Sequence, residues 1–229
     1  MHHLPDSKQI LLADRLDEQA KNYLLAYDFT NQGGYVNVEN ISNIIAIDCE
    51  FVGIGEKGKG NALARVSIVN DNCEPIYDKY VKVNAEIKDY RTSVSGIKPE
   101  HLESGEQYNI VREEVCAIIH GRIIVGHDIS SDLKVLNIKS IDFQYIRDTA
   151  YFPGFNKYKE RGKRTSSLKD LMKKIFRIEI QDGSHDSVED AASAMELYNK
   201  HKCEFEKRFL TSRYKPNILR SLKNFENSN

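Results

Sequence analysis

The chain has 229 residues, 40% of them hydrophobic and 29% charged, with a formal net charge of −1. That is enough for one sizeable α/β domain with its own core, and too apolar for a disordered chain. Near-zero charge gives no global attraction to a polyanion, so a nucleic-acid partner would have to be held by a local basic patch.

No apolar run approaches the ~20 residues of a membrane helix, so no membrane is expected. Cys49, Cys73, Cys116 and Cys203 are far apart, without Cys-x-x-Cys or zinc-finger spacing, and read as reduced thiols of an intracellular protein. Residues 7–26 have the apolar stripe of an amphipathic accessory helix, and the turn residues 31–34 separate it from the first core strand. Residues 44–51 (Ile-Ile-Ala-Ile-Asp-Cys-Glu-Phe) read as that strand, buried. Alternation puts Asp48 and Glu50 on one face and Ile47, Cys49 and Phe51 on the other. Two neighbouring carboxylates repel, and a hard divalent cation between them would make a site of that repulsion. The alternative is that the strand ends here with both acids in water.

The glycines of residues 53–60 formally satisfy G-x-G-x-x-G, but residues 63–69 alternate like a second strand instead of opening a helix. A hairpin loop is expected there. With a third strand over residues 75–83, the strands form an antiparallel meander. Residues 89–97 are a polar connection in which Arg91 either meets a phosphate or sugar or pairs structurally with an aspartate. A helix is expected over residues 108–120 and a strand over 122–126. Ser130 and Ser131 then cap a helix with Asp132 in its first turn, where the acid serves the helix dipole or adds a third carboxylate to a site. His127-Asp128 follows a strand, unlike the all-helical His-Asp phosphohydrolases. The absence of a G-x-S-x-G elbow argues against a serine hydrolase.

A short strand is expected over residues 141–146. Residues 151–164 mix Tyr151, Phe152, Phe155 and Tyr158 with Lys157, Lys159, Arg161, Lys163 and Arg164, a pattern suited to single-stranded nucleic acid. After a helix over residues 166–176, a long helix opens at residues 182–190. A capping box there pairs Asp186 with Glu189 or Ser187 with Asp190. Neither needs His185, which lies five residues before Asp190.

Asp48-x-Glu50, the Asp132 segment and His185-x-x-x-x-Asp190 resemble the three motifs of the DEDDh 3′–5′ exonucleases of the RNase H-like superfamily. The flanking stretches Asp48-Cys-Glu-Phe-Val-Gly, Ala64-Arg-Val-Ser-Ile-Val-Asn, Asp89-Tyr-Arg-Thr-x-Val-Ser-Gly-Ile and Val125-Gly-His-Asp are similar to the branch of RNA exonuclease 4 and the interferon-stimulated exonucleases. The resemblance runs from about residue 44 to 198. It implies an α/β, RNase H-like mixed sheet, with the antiparallel three-strand meander plus parallel strands flanked by helices. The domain would cover residues 41–212, between an accessory helix and linker (1–40) and a tail (213–229).

The implied reaction is hydrolysis of single-stranded RNA from its 3′ end with two divalent ions, Mg²⁺ or Mn²⁺, releasing nucleoside 5′-monophosphates. Asp48, Glu50 and Asp190 would hold the first ion, with Asp48 bridging to a second that Asp132 helps hold. His185 would be the general base, a task that suits imidazole because its ordinary pKa lies near neutrality. Phe51, Arg91, Lys163 and Arg164 are candidates for contact with the nucleic acid. Metal ligands do not read the sugar, so the preference for RNA over DNA rests on the resemblance. A DNA-directed exonuclease with the same site and a catalytically silent nucleic-acid-binding module are the alternatives. The family branch implies a nuclear or nucleolar protein, with the cytoplasm as alternative, and no protein partner is readable.

Overall fold

A computed structural model describes residues 35–139 and 141–210. Its centre is β2 (Ile44–Ile54), whose β-branched residues are buried from Ile45 to Ile47. β2 turns back into β3 (Gly60–Val69), and β3 into β4 (Pro75–Lys82), giving the expected antiparallel meander. The hairpin between β2 and β3 needs the positive φ of Gly55 and Gly58, 69° at both, a region open to residues without a Cβ.

On its other side β2 pairs in parallel with β7 (Ile123–Gly126), which pairs in parallel with β8 (Ile146–Asp148). The two-residue β1 (Tyr35–Val36) closes the β4 edge, so the sheet runs β1-β4-β3-β2-β7-β8 and starts upstream of the expected domain boundary. Short β5 (Ile87–Asp89) and β6 (Glu106–Gln107) add to β2 and β4. The helices are α1 (Thr92–Ser95), α2 (Pro99–Glu103), α3 (Tyr108–Ile119), α4 (Ser130–Val135), α5 (Leu168–Ile175) and α6 (Ser187–Leu210).

Strand alternation assigns the two faces. Tyr77 and Lys79 of β4 bond to Glu114 of α3, whereas Ser67 of β3 bonds to Ser187 of α6. The helices α3 and α6 therefore cover opposite faces. Asp48 lies across from Ser67 and Glu50 across from Arg65, so both acids face the start of α6.

Residues 141–145 are not strand: the Asp142 side chain accepts from the Gln144 N–H and turns Phe143–Tyr145 into a 3-10 helix, leaving β8 to start at Ile146. Ser130 and Ser131 do not cap α4, whose N-cap position is Ile129. Asp148 at the end of β8 already takes the N–H groups of Asp128 and Ile129. Asp186 does cap α6 through the Val188 N–H, but Glu189 accepts from the Gln181 N–H instead of completing a box. Phe152 and Phe155 are 1% and 2% exposed in the core, where Phe152 stacks on Phe205 and Phe155 meets that ring edge-on, so neither is free to stack on bases. The accessory helix (7–26) and the tail (213–229) lie outside the described residues.

Candidate active site

The site forms where β7 ends beside β2 while β2 runs on into its hairpin, at the carboxyl ends of the parallel strands, where open α/β sheets keep their ligands. Asp48 and Glu50 come from β2, Asp132 from the first turn of α4, and Asp190 from the first turn of α6. His185 sits in the loop before α6. Its backbone N–H donates to the Val94 carbonyl at 2.6 Å, which ties the loop to α1.

One ligand atom each of Glu50, His185 and Asp190 lies within 4.8 Å of the others. His185 Nδ1 stands 3.5 Å from Asp190 Oδ2, and the imidazole is 35% exposed. Asp48 and Asp132 lie outside that tight group but are electrostatically part of it. Desolvation raises the Asp48 pKa well above the ordinary range, and Asp132, Asp190 and Glu50 push it further. Glu50 is pushed up to about 8, by burial first and then by Asp190, with Arg65 opposing. Asp132 is raised to about 8 by burial, against the pull of the Cys49 thiol and backbone N–H groups. Asp190 rises to about 6, by burial again, with Gln181 and His185 holding it down.

Acids raised in this way are short of positive charge. Glu50 is 6% exposed, and its Oε1 is buried with no hydrogen-bond partner among the described residues. A buried carboxylate oxygen without a partner is costly. The donor set, carboxylate oxygens with one imidazole, is what a hard divalent cation takes. The residues present therefore fit such an ion.

Other candidates are placed differently. The Arg91 guanidinium grips the β2–β3 hairpin, through Asn61 Oδ1 at 2.9 Å and the Gly58 carbonyl at 2.9 Å. Phe51 is half-buried against the core beside Glu50. Lys163 and Arg164 are exposed, and the Arg164 guanidinium lies 5.2 Å from the centroid of the Tyr151 ring. The Tyr151 hydroxyl donates to Asp128 Oδ1 at 3.1 Å, which links this basic loop to the turn before α4.

Two residues that the sequence pattern does not single out support the acids. Asp148 accepts from the N–H groups of Asp128 and Ala150 at 2.9 Å and of Ile129 at 3.2 Å, pinning the turn that delivers Asp132. Gln181 donates to both oxygens of Asp190. The only sequence signal for Asp148 is an acid at the end of a strand, and Gln181 has none.

Fold and site together define an RNase H-like α/β domain with a carboxylate–histidine centre at the carboxyl edge of its parallel strands. The sequence pattern of the exonuclease family (RNase T) matches residues 45–198, and the chain belongs to that family. It is 45% identical over 166 residues to mouse RNA exonuclease 4 and 44% identical over 169 residues to that of Saccharomyces cerevisiae. Those alignments cover 72% and 74% of this chain but 38% and 58% of the relatives, so the chain spans only part of their length. Among solved structures it is similar to the Saccharomyces cerevisiae Pan2 pseudoubiquitin hydrolase–RNA exonuclease module in complex with AAUUAA RNA. The TM-score is 0.65 at 30% identity, over 88% of this chain and 37% of that one. The Neurospora crassa Pan2 catalytic unit gives 0.63 at 25% identity, over 92% and 35%.

Proposed function

We propose that the chain is a 3′–5′ exoribonuclease that hydrolyses single-stranded RNA from its 3′ end and releases nucleoside 5′-monophosphates. The observation that carries this reading is the convergence of Glu50, His185 and Asp190, with a Glu50 oxygen left buried and unpartnered among the described residues. Similarity to proteins named RNA exonuclease 4 and to a Pan2 module solved with RNA supports the substrate class.

Asp48, Glu50 and Asp190 would hold one Mg²⁺ or Mn²⁺, and Asp48 with Asp132 a second. When bound, such a pair neutralises charge at phosphorus, activates a water and stabilises the leaving oxygen. His185, partly exposed at the mouth of the site, accepts the proton of the attacking water as its oxygen bonds to phosphorus and the P–O3′ bond breaks. Asp190 beside it stabilises the imidazolium that forms. Lys163 and Arg164 would hold backbone phosphates of the entering strand, Phe51 would pack against the terminal base or sugar, and Arg91, whose guanidinium also holds the β2–β3 hairpin, would contact the backbone.

Asp48→Ala tests the assignment: metal-dependent cleavage falls by orders of magnitude while the circular dichroism spectrum is kept. Retained cleavage would remove Asp48 from the site.

A further inference from the structure

Gln181 stands in the loop between α5 and α6, and the proposed hydrolysis makes no use of it. Its backbone is left-handed, with φ of 56°, a conformation that non-glycine residues hold only where their surroundings impose it. The surroundings here do so at three points. Its N–H donates to Glu189 Oε2 at 3.2 Å, its carbonyl accepts from Lys169 Nζ at 2.8 Å, and its side-chain Nε2 donates to Asp190 Oδ1 and Oδ2 at 3.0 and 2.9 Å. One amide nitrogen astride both oxygens of a buried carboxylate fixes that carboxylate's rotation.

We propose that Gln181 is a positioning residue that holds the Asp190 carboxylate where it converges with Glu50 and His185, and so sets the affinity of the centre for a divalent cation. The proposal rests on Asp190 being a cation ligand. The amide nitrogen carries two protons, so it keeps a bond to one oxygen while the other turns to an ion. Groups that orient metal ligands in this way cost about 10–100-fold in metal affinity when removed. If the amide instead merely filled the place of the ion, its loss would tighten binding, so the direction of the change decides between the two roles.

The test is calorimetric titration of Mn²⁺ into the full chain without RNA, for the wild type, Gln181→Ala, Gln181→Asn and Asp190→Ala. Asparagine tolerates the left-handed backbone but is one methylene too short to reach both oxygens, so it serves where the alanine variant folds poorly. Both Gln181 variants are expected to bind Mn²⁺ about 10–100-fold more weakly, with the KM for RNA unmoved and far-UV circular dichroism unchanged. Unchanged or tighter binding in the Gln181 variants, with weaker binding in Asp190→Ala, overturns this proposal and leaves the proposed function standing. Wild-type Mn²⁺ affinity in Asp190→Ala, or no Mn²⁺ binding by the wild type, overturns both.

Discussion

Glu50, Asp132 and Asp190 are held in a desolvated, mutually repelling cluster that no core would select for stability, and His185, 3.5 Å from Asp190, is the proposed base. His185→Asn is therefore expected to lower kcat on RNA by about 10²–10⁴-fold with KM little changed. A KM effect without a kcat effect would make His185 a binding group instead. His127 offers a separate test, of stability. Burial lowers its pKa to about 4, while its ring bonds to Thr149 Oγ1 and the Ser166 carbonyl. Between about pH 4 and the ordinary histidine value, the unfolded chain then binds the extra proton and the folded one does not. Its contribution is complete above that value and is lost as pH falls through this window. Urea denaturation of His127→Gln should show a smaller loss of stability from about pH 6.5 to 4 than the wild type, and equal slopes would contradict the assignment. Acids and histidine at motif spacing are legible from the sequence because each sits beside its own local signal, an apolar strand run for Asp48 and Glu50 or a helix start for Asp132, His185 and Asp190. Gln181 and Asp148 are not, because each acts on a partner that only the fold brings near.

Among elements, the joint between β4 and α3 is a polar seam in the core. Lys79 and Glu114 are both 1% exposed and bonded at 3.0 Å, and the Tyr77 hydroxyl donates to the same carboxylate at 2.7 Å. Removing one partner strands a buried charge, so Glu114→Ala is expected to cost about 3–5 kcal/mol in urea denaturation. The double variant Lys79→Met with Glu114→Leu should recover most of that loss, and a double variant as unstable as the single one would show that the pair stabilises the fold outright. The apolar period of α3 is readable, but not that Glu114 lies on its buried face, since its partner Lys79 comes from a strand 35 residues away. The meander is legible because alternation and turn glycines are local. The strand expected over residues 141–146 is displaced because pairing with Ile124 sets the register of β8, and no local pattern carries that information.

At the scale of the whole molecule, a chain of net charge −1 presents Lys157, Lys159, Arg161, Lys163 and Arg164 exposed on one segment, the 3-10 helix Pro153–Tyr158 and the loop after it, tied through Tyr151 to the turn before α4. Phe152 and Phe155 anchor that segment in the core, so its cations are presented from a fixed base. If Lys163 and Arg164 contact phosphates, replacing both with alanine should weaken RNA binding and flatten the log–log salt dependence by about 0.7 per lost contact. An unchanged slope would place the RNA elsewhere. The central claim, metal-dependent hydrolysis from the 3′ end of RNA, is tested most directly by a time course on 5′-labelled single-stranded RNA and matched DNA. Each is incubated with Mg²⁺, Mn²⁺ or EDTA. The expected result is a ladder that shortens from the 3′ end only with metal, faster on RNA than on DNA, and absent in Asp48→Ala. Cleavage that persists in EDTA, or RNA that is bound but never shortened with either metal, would contradict it.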